Sequence, residues 1–289
     1  MALFSFFRIQ KAFLINSSFI ILGSILLLWS AFDNGYPLVH SDTGSYVYTS
    51  FRLRVPLNDR PIGYGLFLIS GRLFNSLWLP VVFQSLITAT LLFRLGSLIL
   101  PVVKQQNLIA FSAILLTVLT TDISKYVSWV MPDIFTSWLF LGGLLFLISN
   151  QSTDKLFSAI TIMVSFLVHN SHPLLSYLLV ILLVLVSWRL RSKNYLFWKT
   201  SKQLSLLVLI VTLALCAVNF ILNDRFTVTN NNSIFYIGKL AYHGTLTNTL
   251  DKYCSEKNWK LCDYKEVIRL KAKEEGYNWY FWGQGFTAT

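Results

Sequence analysis

Charge is scarce in this chain, and acid is scarcer than base. Only 13% of the 289 residues are charged, with 13 Asp and Glu against 24 Lys and Arg. A water-soluble domain of this size needs more polar side chains than that to cover its core, which excludes a soluble globular fold. The formal charge of +11 does not mark a nucleic-acid binder. The basic residues punctuate apolar runs, as orientation signals do, and are not gathered into one polar domain. Cysteine is rare at three residues, none in a CxxC metal spacing, with Cys216 inside an apolar run and Cys254 and Cys262 in a polar tail. Walker and dinucleotide glycine patterns are missing, as are internal repeats and low-complexity tracts.

What the chain has in quantity is apolar sequence: 54% of its residues are hydrophobic and its mean hydropathy is +0.57. Seven apolar runs are legible, at 13–31, 77–95, 108–121, 134–149, 156–168, 174–188 and 204–222. Runs near 20 residues read as membrane spans, and the third and fifth are short for a full crossing. The first is longer than the apolar core of a signal peptide and no small-x-small site follows it, so it reads as an uncleaved span. The expected fold is therefore an all-α membrane protein of about seven transmembrane helices. It comprises a membrane module at 1–222, with a long first loop at 32–76, and a polar tail domain at 223–289.

Charge sets the expected orientation. With the N-terminus in the cytoplasm, the inner side holds Arg8, Lys11, Arg94, Lys104, Lys155, Arg189, Arg191, Lys193, Lys199 and Lys202 with one acid, Asp154. That excess of Lys and Arg is what the positive-inside rule requires. Asp33, Asp42, Asp59, Asp122 and Asp133 then fall on the outer side. The tail also lies outside. It begins with turn formers at 229–233 and reads as a solvated helix from Asp263 to Gly276. Cys254 and Cys262 would sit in an oxidising compartment, where a disulfide between them leads over a pair of free thiols.

The first loop carries the densest chemistry. Asp42 stands beside small residues just past the first span. Two readings of it stand: a general base accepting a proton from an incoming hydroxyl, or an N-cap for a helix starting near Thr43. Arg52, Arg54 and Arg60 put three guanidinium forks in the same loop, suited to the phosphate of a lipid carrier; the plainer reading is general attraction to headgroups. Asp133, after Pro132, is either an ordinary helix-start acid or a second site acid, and Asp122 has Lys125 as a nearby partner. His169 and His172, three apart in the loop between the fifth and sixth runs, could join a carboxylate on a divalent metal, hydrogen-bond a phosphate, or serve as interfacial polar groups.

Taken together, Ser41-Asp42-Thr43 with Tyr46, Arg60-Pro61 with Tyr64, and Pro132-Asp133 at the start of the fourth run resemble the GT-C superfamily of integral membrane glycosyltransferases. The likeness is to its bacterial branch related to protein O-mannosyltransferases and lipid A aminoarabinose transferases. It implies that Asp42 and Asp133 are the catalytic acids, and that Arg52, Arg54, Arg60, Tyr46 and Tyr64 bind substrate. Asp133 with His169 and His172 would hold a divalent metal if one is used. The partners it implies are membrane lipid, a polyprenyl-phosphate sugar donor and an acceptor of unknown identity, at the outer face of a bacterial inner membrane, with no nucleic acid. Family members usually continue with further spans, so the chain reads as a truncated or short variant. The competing expectations are a transporter or flippase subunit for a lipid-linked intermediate, and a non-catalytic relative.

Overall fold

The structure, a computed structural model, describes residues 2–53, 60–99, 105–190, 193–229, 232–257 and 259–275. Among these residues all regular structure is helical, and the one extended contact is an isolated parallel bridge between Leu38 and Trp129. Helix is the expected outcome for apolar sequence in lipid, because it satisfies the backbone within a single segment.

Two compact units emerge, Met1–Val228 and Thr229–Thr289. The first contains α1 (Ala2–Leu27), α2 (Trp29–Asp33), α3 (Thr43–Phe51), α4 (Ile62–Phe67), α5 (Ile69–Leu73), α6 (Trp78–Ile99), α7 (Gln106–Thr120), α8 (Ile123–Ser128), α9 (Ile134–Ile148), α10 (Ser152–Val168), α11 (His172–Leu190) and α12 (Tyr195–Asn223). Each of the seven apolar runs lies largely within one helix. Among the described residues three helices are long and apolar enough to cross a membrane: α6, α11 and the stretch Tyr195–Leu222 of α12. Helices α7 and α9 have 15 residues each. At ~1.5 Å per residue each spans about 22 Å, short of a hydrocarbon core of roughly 30 Å.

Close approach between helices comes from small residues. A Cβ on Gly96 of α6 would lie 3.1 Å from the Ala110 Cα of α7, and one on Gly142 of α9 would touch Ile162 and Ser158 of α10. The largest core cluster joins Leu27, Phe93, Ile114, Phe135 and Trp138 across α1, α6, α7 and α9. At the end of the bundle opposite the first loop along α6, Arg94 grips Asp154 through both carboxylate oxygens at 2.8 Å. Arg94 also reaches Gln151, and Ser149 donates to Asp154. This bidentate pair ties α6 to the α9–α10 turn.

The second unit contains α13 (Asn232–Tyr242), α14 (Thr245–Lys257), a 3-10 turn (Lys260–Tyr264) and α15 (Lys265–Glu275). Ala241, Leu250 and Ile268 form its small core. Cys254 and Cys262 are joined in a disulfide, and Asp251 holds both Lys265 and Arg269 across to α15. The expected helix over 263–276 begins as the 3-10 turn and becomes α-helical at Lys265; Gly276 lies outside the described residues.

Candidate functional site

The first loop is fastened to the segment before α9 by backbone and side-chain bonds. Leu38 N–H donates to the Ser128 carbonyl and Val130 N–H donates back to the Leu38 carbonyl, both at 2.9 Å. Thr43 donates to the Val130 carbonyl and accepts from the His40 amide. Gln84 of α6, fully buried, donates to the carbonyls of Val127 and Trp129 and accepts from the Tyr64 hydroxyl at 2.9 Å. A buried primary amide must find partners for both ends, so this one side chain locks α4 and the α8–α9 connection to α6.

Asp42 occupies the N-cap position of α3 but makes no side-chain capping bond. The capping reading therefore fails at the side chain. Its carboxylate pairs instead with Arg60 at 2.8 Å, with both groups partly shielded from solvent. The Arg60 guanidinium also lies 5.3 Å above the Tyr46 ring, a cation–π arrangement that steers it over α3. Immediately after Arg60, α4 presses onto the C-terminal end of α10: a Cβ on Gly63 would sit 2.2 Å from the Leu167 carbonyl oxygen. Glycine is required there because the backbone itself is the neighbour.

That contact brings Arg60 near the α10–α11 turn. Burial holds His169 below its ordinary value of 6.5; Arg60 lowers it further and Asp133 opposes, so both charges lie within electrostatic reach of the ring. Asp133 also acts on Tyr46 and Tyr64. Asp133 sits at the N-cap of α9, exposed, and makes no side-chain capping bond. Thus Arg60 touches both Asp42 and Tyr46, and Asp133 and His169, from two other stretches of chain, lie within electrostatic reach of that group.

Several expected members stand elsewhere or do other work. Arg52 is exposed at the end of α3, over the Tyr48 ring at 5.1 Å, and Arg54 lies outside the described residues. Of the described arginines, Arg60 is the one that meets Asp42. Tyr46 and Tyr64 are buried and pack within the first loop and its neighbours. Their rings pack edge to face at 5.1 Å, and Tyr64 continues onto Phe67 and Phe135. Burial pushes the Tyr46 hydroxyl up to about 12, with Arg60 opposing and Asp42 adding to the rise. Burial likewise raises Tyr64 well above its ordinary value. Both phenols stay protonated. Lys125 lies over the Trp129 ring, and no ion pair joins it to Asp122.

Both histidine rings are engaged within the protein. A backbone amide can only donate, and Ser171 N–H donates to His169 Nδ1 at 3.2 Å, with Ser171 Oγ at 2.8 Å. The lone pair of Nδ1 is thereby used, and the ring proton sits on Nε2. A carbonyl can only accept, so His172 Nδ1, 2.5 Å from the Ser165 oxygen, carries its proton. Its Nε2 accepts from Thr136 at 2.8 Å, and the ring is fully buried. Binding a metal with Asp133 would require both histidine bonds to break. Among the described residues no group of three or more His, Cys, Asp or Glu is placed to hold a metal ion.

Gln84 and Gly63 were missing from the sequence reading of the site. A single glutamine within an apolar run was a usable signal, because a buried amide needs partners in the protein. Comparison with known proteins finds no matching family model, no matching curated protein and no matching solved structure.

Proposed function

We propose that this chain is a membrane glycosyltransferase of GT-C type, moving a sugar from a polyprenyl-phosphate carrier to an acceptor hydroxyl at the outer face of a bacterial inner membrane. The observation that carries the reading is the Asp42–Arg60 pair, with Asp133 and His169 in electrostatic reach of the same loop. Freed from capping, the Asp42 carboxylate is available as a base. Arg60 is a guanidinium already held in place by a carboxylate and an aromatic face. An arriving carrier phosphate offers it a second anion, matched to its fork.

In the proposed reaction the acceptor oxygen attacks the anomeric carbon and its proton passes to Asp42. The bond between that carbon and the carrier phosphate oxygen breaks. Negative charge then grows on the leaving phosphate, where Arg60 and the His169 Nε2–H can stabilise it. Seven membrane-inserted helices with the N-terminus inside would place all of these groups on one face.

The test is turnover in proteoliposomes supplied with a polyprenyl-phosphate sugar, read as release of the free carrier. Asp42→Asn should lower turnover by roughly 10²–10⁴-fold, the usual worth of a positioned base. Turnover at the wild-type rate in correctly inserted Asp42→Asn protein would exclude the base role.

A further inference from the structure

A cavity lies at the far end of α3 from Asp42, roughly 13 Å away at ~1.5 Å per helical residue. It has a volume of about 230 Å³ and is open on one side. Val47, Phe51, Leu68 and Leu77 give it apolar walls, and Arg72 lies at its edge. A pocket that encloses a whole small molecule usually measures ~300–1,000 Å³. This one is large enough for part of a ligand only, so its occupant must extend beyond the mouth.

The surroundings of the mouth say what that extension meets. Phe51, Leu73 and Phe74 are 62%, 70% and 72% exposed. Phe51 lines the cavity, and Leu73 and Phe74 lie in sequence between its lining residues Arg72 and Asn75, so exposed apolar side chains flank it, suited to an apolar neighbour. Among the described residues three helices are able to cross a bilayer. Arg72 is fixed in this setting. It donates to the Ser50 carbonyl at 2.6 Å and its guanidinium lies 5.5 Å over the Phe51 ring. No carboxylate pairs with it among the described residues. A guanidinium has five N–H donors, and most of those on Arg72 remain for an anion. An apolar slot too small for a whole ligand, an apolar rim and an uncompensated cation describe the two ends of one amphiphile.

We propose that this cleft binds an anionic bilayer phospholipid, with its phosphate on Arg72 and a stretch of acyl chain in the slot between α3 and α5. The site stands apart from the Asp42–Arg60 cluster and does not depend on the glycosyl-transfer reading. It places an ordinary membrane lipid against the helix that carries Asp42.

The test is lipid retention. The full chain is reconstituted into nanodiscs of equal phosphatidylcholine and phosphatidylglycerol, extracted with mild detergent, and its retained lipid is identified by native mass spectrometry. Wild-type protein should retain phosphatidylglycerol over phosphatidylcholine by about fivefold, the worth of one basic contact near a membrane surface. Arg72→Gln keeps a donor for the Ser50 carbonyl and should remove that preference. Val47→Phe fills the slot while leaving the charge, and should reduce retention of both lipids. Equal retention of the two lipids by wild type, or unchanged retention in Val47→Phe, would overturn the proposal. So would loss of the bound lipid to added glycerol phosphate, which would mean that the headgroup alone is recognised.

Discussion

Two glycines of the first loop should respond to the same substitution with opposite signs. Gly44 lies in α3 with nothing within 4 Å of the position a Cβ would take. Gly44→Ala should therefore gain the helix propensity difference, about 0.5–1 kcal/mol. Gly63 lies in α4, where the added carbon would stand 2.2 Å from the Leu167 oxygen and 2.5 Å from its carbonyl carbon. Both neighbours are backbone, so neither can rotate away. Restoring ordinary contact requires α4 and α10 to separate by about 1 Å, and forced overpacking of this kind costs ~1–3 kcal/mol. The helix-propensity gain offsets part of that, leaving Gly63→Ala destabilised by up to about 2 kcal/mol. Fluorescence-detected size-exclusion melting curves in a single detergent, with both variants beside the wild type, measure the contrast. The local shift also moves Arg60, three residues away, against Asp42 and His169. A misplacement near 1 Å can cost ~10²-fold in a positioned reaction, so the proposed turnover should fall even where the protein remains folded. If Gly63→Ala melts at or above Gly44→Ala, the close packing of α4 on α10 is wrong.

Arg94→Ala strands the buried Asp154 carboxylate and should cost about 3–5 kcal/mol, whereas replacing both members with apolar residues should cost less; the melting temperatures of the two variants decide. His169 is held below 6.5 in the folded chain, so its contribution to stability is present above that pH and lost on acidification through the lower, folded value. His169→Asn keeps an acceptor for the Ser171 amide without a titrating ring, and stability measured from pH 7 down to 4 should flatten in that variant; an unchanged slope removes His169 as the cause. Reducing the Cys254–Cys262 bond, which closes a loop of sequence separation 8, should cost the tail unit about 2–3 kcal/mol on the chain-entropy account. A melting curve of the tail that is insensitive to reductant would show that its small core suffices.

Helix was legible wherever apolar residues ran unbroken, because the physics of such runs is local. The run at 77–95 became most of α6 and the run at 204–222 became the C-terminal part of α12. The site was legible in kind and not in arrangement. Asp42 and Arg60 could be named from residue type, but whether Asp42 would cap or pair depended on where residue 60 returns in space. Nothing local encodes that return; it is set by Gly63 against Leu167 and by Gln84 beneath Tyr64, contacts about 100 and 20 residues apart. Tyr46 and Tyr64 were expected as ligand contacts because the resemblance to a glycosyltransferase superfamily implied it. Their burial follows from Phe135, Phe67 and Trp138, which α4 and α9 supply once packed. The histidine bonds were equally hidden, since Ser165 and Thr136 come from two different helices.

The exchange of backbone bonds between Leu38 and the pair Ser128 and Val130 imposes an order on synthesis. The Leu38 amide and carbonyl leave the ribosome some ninety residues before their partners exist. Until α8 emerges, the first loop has neither a sheet-like partner nor the Gln84 clamp completed at Val127 and Trp129. The growing chain must therefore carry Asp42 and Arg60 through synthesis of α6 and α7 as an unclosed loop. The site is assembled late, first as the residues leading into α9 arrive and then as Leu167 and His169 follow. A substitution that slows the arrival of α8 would lengthen the period during which this charged loop is exposed to proteases and to misplaced pairing, even if the finished protein were unchanged.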